Sequence, residues 1–270
     1  AGRWPGSVAV NAMNVTRQSS TPRIQIMLNN VISSQSALKI ATSIADNMGL
    51  LLEGVFVEDE DLLKVSELTF LREIRASTLL QQAVDPQRMQ QALAAQARQV
   101  QRFMQEHAAR AGVNCAFRVW RGHVTLASLS AGLDAEIFSI SGSPAYRQSV
   151  LTRQQHDVVD IYLLVDPDKP SVKIFDVVKR LSGIMTWTTH VLLATGQSPD
   201  MAATNERIRQ LASGLSPQQY DNYTTVEDLA AILHRSNNPV LFISADHPLL
   251  LDADINRLLR SLAVTVFVVR

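Results

Sequence analysis

The sequence lacks most of the features that mark a specialised class of protein. It has one cysteine, Cys115, so it forms no internal disulfide, which suits a reducing compartment. Its 25 basic and 25 acidic residues cancel, whereas nucleic-acid binding requires concentrated Lys and Arg. The longest apolar run, 262–269, is too short to span a membrane, and residues 1–22 lack the apolar segment of a secretory signal. We therefore expect a cytoplasmic protein without nucleic-acid or membrane partners.

Motifs for phosphate, metal or nucleophilic chemistry are also missing. Beyond residue 22 no two glycines lie closer than five positions apart, which excludes G-x-G-x-x-G, and the pair Gly49 and Gly54 lacks the lysine of a P-loop. The six histidines are scattered singly, so we predict neither a metal site nor a catalytic residue. Cys115 and Gly54 fall in predicted strands. We expect the first to be an inert core thiol and the second to allow close packing.

The acidic run 58–61, Glu-Asp-Glu-Asp, has two interpretations. It could hold a divalent cation, since carboxylate oxygens are good ligands for such ions. It also precedes a predicted helix, where carboxylates satisfy free backbone amides and suit the positive end of the helix dipole. We favour the capping interpretation.

Apolar periodicity predicts an α/β protein in which strands and helices alternate. The predicted strands are 23–28, 50–57, 114–120, 135–141, 161–165, 190–195, 240–244 and 264–269. The predicted helices are 33–48, 61–82, 86–111, 124–131, 172–185, 201–212, 226–234 and 255–262. Because no tight hairpin turn separates successive strands, we expect right-handed crossovers and two tandem open parallel-sheet units of the Rossmann type.

Internal similarity supports two copies of one plan. A shift of 103 residues aligns Ile140 with Ile243 and Leu126 with Leu229, whereas the opening strands are offset by 136, which leaves 33 extra residues in the first copy. We therefore predict a flexible arm over 1–22, a first domain over 23–157 with extra helices in 61–111, and a shorter, degenerate second domain over 158–270. Either the first copy lacks a regular fifth strand or 171–176 is that strand. Helical spacing favours a helix there.

Position indicates where a ligand would bind, because open parallel sheets bind ligands beyond the carboxyl ends of their strands. The candidate ligand-binding residues at these ends are Asn29, Asn30, Val57, Gly122, Ser141, Gly142 and Ser143 in the first copy and Asp166 in the second. The backbone amides of Gly142 and Ser143 could bind an anion. The simpler interpretation, which we favour, is that 142–144 is only a turn.

Two stretches resemble a known family. Residues 55–74, VFVEDEDLLKVSELTFLREI, resemble the second strand and following helix of tandem universal stress proteins, as does the Ala/Leu pattern of 36–52. Residues 229–270, with Ser-x-x-x-Pro-Leu-Leu before a helix and a final apolar strand, resemble that family's closing unit. The resemblance implies two α/β units packed through their last strands, a cytosolic location, and a role in stress tolerance or regulation. It also implies a homodimer, a larger assembly or a protein partner.

Some members of that family bind ATP or AMP through an Asp after the first strand and a glycine-containing loop after the fourth. This chain has Asn29 and Asn30 in place of the first Asp, and its second copy keeps Asp166 but has no glycine in the loop 244–248, where Asp246 adds negative charge. We therefore expect a non-catalytic protein without a cofactor that acts through protein contacts. The alternative is a nucleotide or small-anion sensor that binds ATP or AMP in the first cleft.

Overall fold

A computed structural model gives the fold of the chain. It describes residues 21–28, 31–59, 64, 68, 72–74, 81–83, 85–122, 135–141, 159–181, 187–194, 201–215, 218–236, 239–251 and 264–270. The strands in these stretches are β1 Arg23–Leu28, β2 Leu51–Asp59, β3 Arg72–Ile74, β4 Gln81–Ala83, β5 Cys115–Gly122, β6 Ile137–Ser141, β7 Val159–Val165, β8 Trp187–Ala194, β9 Gln218–Tyr223, β10 Pro239–Ser244 and β11 Thr265–Val269. The helices are α1 Val31–Met48, α2 Pro86–Ala111, α3 Val172–Leu181, α4 Met201–Leu211 and α5 Val226–His234.

Nine of the strands form one sheet in the order β5-β2-β1-β6-β11-β10-β7-β8-β9. Every neighbouring pair is parallel except β6 and β11, which are antiparallel and join the two halves of the chain. Each half has its third strand at a sheet edge, followed by its second, first and fourth strands. This largely parallel arrangement confirms the predicted α/β class of the Rossmann type.

Helices cover both faces of the sheet. Helices α1 to α4 contribute buried side chains such as Ile44, Val100, Phe175 and Ile208 to one large hydrophobic cluster. Helix α5 packs its Leu229 and a neighbouring leucine into the cluster on the other face. The apolar spacing of each helix therefore decides which of its sides meets the sheet.

The two halves share one pairing register. A shift of 137 residues takes Leu28 and Phe56, paired on β1 and β2, to Val165 and Leu193, paired on β7 and β8. A shift of 103 residues takes β5 to β9 and β6 to β10 in the same register. The predicted shift of 103 is confirmed, but the opening strands are offset by 137 rather than 136, so 34 extra residues lie between the second and third strands of the first half.

Helix α2 begins and ends where the sequence indicated. Pro86 occupies the first turn, and the carboxylate of Asp85 accepts a hydrogen bond from the Gln87 backbone N–H at 3.0 Å. Gly112 ends the helix in the left-handed region, with φ of 69°, which a residue with a Cβ adopts at a cost. Gly54 lies where β2 passes under this helix. A Cβ there would meet the Met104 sulfur, so close packing at Gly54 is also confirmed.

Two expectations about secondary structure and one about burial were wrong. Residues 72–74 and 81–82, predicted as part of helix 61–82, lie in the antiparallel pair β3 and β4, because cross-strand pairing rather than local pattern decides these short segments. Strand β9 was missed, since its polar sequence QQYDNY lacks the apolar alternation of a strand. Cys115 is only partly buried, because β5 is an edge strand.

The ambiguous stretch near 172 is resolved as a helix. Residues 172–181 form α3, which buries five of its apolar side chains. Among the described strands, β6 has β1 and β11 as neighbours, so the last strand of the second half lies beside the fourth strand of the first. The arm up to residue 20 and the predicted helices 124–131 and 255–262 lie outside the described residues.

Candidate functional site

The carboxyl ends of the first-half strands lie at one end of the sheet, and those of the second-half strands lie at the opposite end. Because β6 and β11 are antiparallel, the parallel strands of the first half run against those of the second. The first-half candidates therefore lie at one end of the sheet (Val57, Gly122 and Ser141), and Asp166 lies at the other. The structure does not bring these predicted site residues together in a single cleft. The other four candidates, Asn29, Asn30, Gly142 and Ser143, lie outside the described residues.

The described candidates of the first half are spread over three strands. Val57, half-buried near the end of β2, packs against the hydrophobic cluster on the α5 face. Gly122 ends β5 and pairs with Asp59. Ser141 ends β6, where it pairs with Thr265, and β1 lies between β6 and β2. Val57 and Gly122 thus share one wall, and Ser141 lies on the opposite side of β1.

An ion pair that was not predicted from the sequence links β2 and β5 beside Val57 and Gly122. Glu58 is 8% exposed, and its Oε2 accepts hydrogen bonds from Nε and Nη2 of Arg121 at 2.9 and 2.8 Å. The predicted capping role of the acidic run is wrong for Glu58 and Asp59, because both belong to β2. Glu58 lies next to Arg121 in the β2–β5 register, so only the strand pairing, absent from local sequence, predicts the contact.

The second half has a defined small cleft where the strand order reverses, between the carboxyl ends of β7 and β10. The residues that line it are Leu164, Val165, Asp166, Lys169, Ser171, Ile174, Ser244, Asp246 and His247. Asp166 follows β7 directly, and one of its oxygens accepts a hydrogen bond from the Asp168 backbone N–H at 3.0 Å. The sequence had named Asp166 as a candidate, whereas Lys169 and His247 were not predicted.

An ion pair bridges the two sides of this cleft. The Lys169 ammonium, from the loop after β7, donates to one carboxylate oxygen of Asp246, and the Ser244 hydroxyl donates to the other. The Lys169 and Ser244 hydrogen bonds lower the pKa of Asp246, and the same carboxylate raises the pKa of Lys169. The one ammonium that lines the cleft is therefore already paired with a carboxylate.

A buried histidine forms another part of the cleft wall. His247 is 4% exposed, and its Nδ1 accepts a hydrogen bond from the Leu249 backbone N–H at 3.2 Å. The proton of the neutral ring is therefore on Nε2, which has no hydrogen-bond partner among the residues that the structure describes. Burial lowers the pKa of His247, opposed by the carboxylates of Asp166 and Asp246. The cleft thus combines one uncharged N–H donor with two carboxylates and one paired ammonium.

This composition determines the chemistry available to the second cleft. Its lining carries more negative than positive charge, so a phosphate group there would meet a repulsive field. An uncharged polar molecule that donates a hydrogen bond to Asp166 would not meet that repulsion. Among the described residues, no group of three or more His, Cys, Asp or Glu side chains is placed to hold a metal ion. No helix in the described stretches is long and apolar enough to cross a membrane.

Each half also has a polar pair between its edge strand and the strand next to it. In the first, Glu53 of β2 is 7% exposed and contacts Arg118 of β5 at 3.2 Å, Arg23 at 3.5 Å, and the amide nitrogen of Gln25. In the second half, Nδ1 of His190 on β8 lies 3.4 Å from the Asp221 carboxylate on β9. The acid and the base have exchanged strands between the halves.

The surroundings of the second pair are largely aromatic. The His190 ring stacks on Tyr162, with ring centroids 4.5 Å apart and an angle of 17° between the planes. Burial raises the pKa of Tyr162 to about 12, helped by the nearby Asp160 carboxylate. Asp160 in turn accepts a hydrogen bond of 2.6 Å from the Ser236 hydroxyl. These polar groups contact one another within the described part of the sheet.

Two solved structures with partial similarity to the chain are universal stress proteins. A universal stress protein from Archaeoglobus fulgidus DSM 4304 is 13% identical with a TM-score of 0.47, over 92% of this chain and 96% of that one. A protein of the universal stress protein family from Burkholderia pseudomallei is 14% identical with a TM-score of 0.26, over 73% of this chain and 94% of that one. No family model and no curated protein matches the sequence.

Proposed function

We propose that the protein is a cytoplasmic, non-catalytic protein of the universal stress type that acts in stress response or regulation through protein–protein contacts, with nucleotide binding lost from its clefts. The sequence resemblance supports the stress role. The observation that carries the loss of nucleotide binding is the Asp246 carboxylate in the glycine-free loop 244–248 at the second cleft, with Lys169 already bonded to it. A triphosphate would bring several negative charges into that field.

Corresponding positions of the two halves sharpen this proposal. Under the shift of 137 residues Asn29 corresponds to Asp166, and under the shift of 103 Ser143 corresponds to Asp246. Asp246 is therefore specific to the second half and supports loss of nucleotide binding there, whereas the first half lacks the acid that Asp166 provides.

The same correspondence favours one alternative, a nucleotide or small-anion sensor that uses the first cleft and binds ATP or AMP. At the positions of the two acids the first half has an amide and a hydroxyl, and Gly142 stands where the second half has Ala245. A glycine and uncharged donors are compatible with an anion, because the backbone can approach closely and no carboxylate repels it.

Isothermal titration of the full chain with ATP, AMP and cyclic nucleotides separates these proposals. We expect no binding heat and no phosphate release on prolonged incubation with ATP. Micromolar binding that Asn30→Ala abolishes and Asp166→Ala leaves unchanged would establish the sensor instead. Binding that Asp166→Ala abolishes would contradict the proposal at the second cleft itself, and phosphate release would contradict its non-catalytic character.

We also propose that the chain works as a homodimer or a larger assembly. Among the described strands, β5 and β9 each have one neighbour in the sheet, and such edge strands are suited to contact with another chain. Native mass spectrometry of protein purified without added ligand reports assembly and bound small molecules together. A mass equal to one chain at every concentration would contradict this part of the proposal.

A further inference from the structure

Strand β5 is an edge strand with an exposed apolar centre. It has eight residues, and β2 is its one neighbour among the described strands. Val119 is 48% exposed, which is unusual for a large apolar side chain within a strand. Phe117 and Trp120, on either side of it, pack partly into the two hydrophobic clusters. The edge is therefore apolar and held in an extended conformation by the sheet behind it.

The charged side chains that would normally protect such an edge are turned towards the sheet. Exposed edge strands commonly carry Lys or Arg, whose charges repel a second strand. Here Arg118 contacts Glu53 at 3.2 Å and Arg121 contacts Glu58 at 2.8 Å, and both acids belong to β2. Each guanidinium is held against a carboxylate of the inner strand, so it repels an approaching strand less than an unpaired Lys or Arg would.

The corresponding strand of the second half is built differently. Under the shift of 103 residues, Val119 corresponds to Asn222 on β9, which is exposed and polar. The β9 sequence, QQYDNY, has an amide, carboxylate or phenol at every position. The apolar edge is thus a property of β5 and does not follow from its place in the fold.

We propose that a second copy of the chain occupies the β5 edge, through antiparallel pairing of β5 with itself about a two-fold axis at Val119. This rests on the proposed homo-oligomer and names its surface. A two-fold axis perpendicular to the sheet sets residues of the same face directly opposite one another. The axis therefore passes midway between one residue of β5 and the same residue of the second copy. At Val119 it joins the exposed side chain to its equivalent and buries both.

Charge selects this register over its neighbours. With the axis at Val119, Arg118 of one copy lies opposite Trp120 of the other, and Phe117 lies opposite Arg121, so each cation meets an aromatic ring. With the axis one pair earlier, at Arg118, two guanidinium groups would face each other directly, which is unfavourable. The two sheets would then join into one continuous sheet, as β6 and β11 join the halves within the chain.

The first test measures the mass of the full chain by light scattering over a dilution series. Val119→Lys sets two ammonium groups against each other on the axis, and we expect it to raise the dimer dissociation constant about tenfold or more. The matched control is Asn222→Lys, the same change at the corresponding position of β9, which should leave the dissociation constant unchanged. Thermal melts of both variants check that the fold is intact.

The second test needs no charge at the axis. In a Cys115→Ser background, Val119→Cys should form a disulfide between two copies, because directly opposite residues of antiparallel strands have Cβ atoms about 5 Å apart. Asn222→Cys should remain a monomer on a non-reducing gel. Wild-type dimers that resist Val119→Lys, with no Val119→Cys cross-link, would overturn the β5 interface and leave the homo-oligomer standing. A wild-type chain that is monomeric throughout would overturn both, whatever the nucleotide titrations show.

Discussion

The two halves of the molecule share a backbone plan but differ in the chemistry built on it. In both, the second and third strands carry a diagonal pair of an acidic and a basic side chain, offset by two residues from the direct register partner. In the first half the acid Glu53 is on the second strand and Arg118 on the third. In the second half the base His190 is on the second strand and Asp221 on the third. The fold therefore accepts either an acid or a base at this position of the second strand, provided that the third strand carries the complementary side chain.

This comparison separates what the fold requires from what each half does. The register, the strand order and the buried apolar positions recur in both halves, because they hold the sheet together. The polar pair recurs with acid and base exchanged between the strands, as expected of side chains that are required only to satisfy one another's hydrogen bonds. At the clefts and the edge strands, corresponding positions of the two halves differ in both the charge and the size of their side chains. We assign function to those positions.

The largest difference in packing lies at Gly54, whose counterpart in the second half is Val191. We expect Gly54→Val to lower the free energy of unfolding by about 3 kcal/mol, because its side chain would meet Met104 of α2 and backbone or side chains would have to move. Urea denaturation followed by circular dichroism measures the change. This variant would give the first half the residue that the second half already has.

A double variant checks the cause of that loss. Met104→Ala frees the space above β2, so Gly54→Val combined with Met104→Ala should lose less stability than the sum of the two single variants. If the stability losses of the two single variants simply added, Gly54 would be required for its backbone conformation rather than for its close contact with α2. A Gly54→Val variant as stable as the wild type would show that α2 does not pack closely on β2.

The same comparison shows why parts of the fold were predictable from sequence. Strands such as β1, β7 and β10 are continuous apolar runs because they are buried on both faces, and α2 has a proline and a glycine at its ends, so local pattern and structure agree. Strand β9 is an edge strand held by backbone pairing with β8, and its polar side chains gave no signal. Strands β3 and β4 likewise depend on pairing with each other.

A second prediction concerns the exchanged ion pairs. We expect Glu53→Gln to lower the free energy of unfolding by about 2 kcal/mol, because Arg23, Arg118 and Gln25 lose a shared buried acceptor. His190→Gln should cost less than about 1 kcal/mol, since its contact with Asp221 is 3.4 Å long and partly exposed. Both are measured by urea denaturation at neutral pH. Equal losses would contradict the view that the first pair is the more tightly integrated.

The candidate sites were less predictable than the fold. Asp166 was accessible from sequence, because it follows a clear apolar strand at a position where sheets of this type bind ligands. Lys169, Asp246 and His247 come together only because the loops after β7 and β10 meet where the strand order reverses. The Glu58–Arg121 pair similarly joins residues 63 positions apart in the chain. Such contacts depend on register, which no local pattern encodes.

The smallest expected effect is a pH dependence confined to the second half, where His247 occupies the position of Pro144 in the first. Burial lowers the pKa of His247 in the folded chain below its ordinary value of 6.5. As the pH falls, the unfolded chain therefore takes up a proton on this ring before the folded chain does. The stability that the neutral ring contributes is present above the ordinary pKa. It is lost as the pH falls towards the lower pKa of the folded chain. Carboxylates at Asp166 and Asp246 oppose the shift and keep this effect small. Urea midpoints measured on either side of that range should fall less for His247→Gln than for the wild type, and equal falls would show that His247 is not buried in its neutral form.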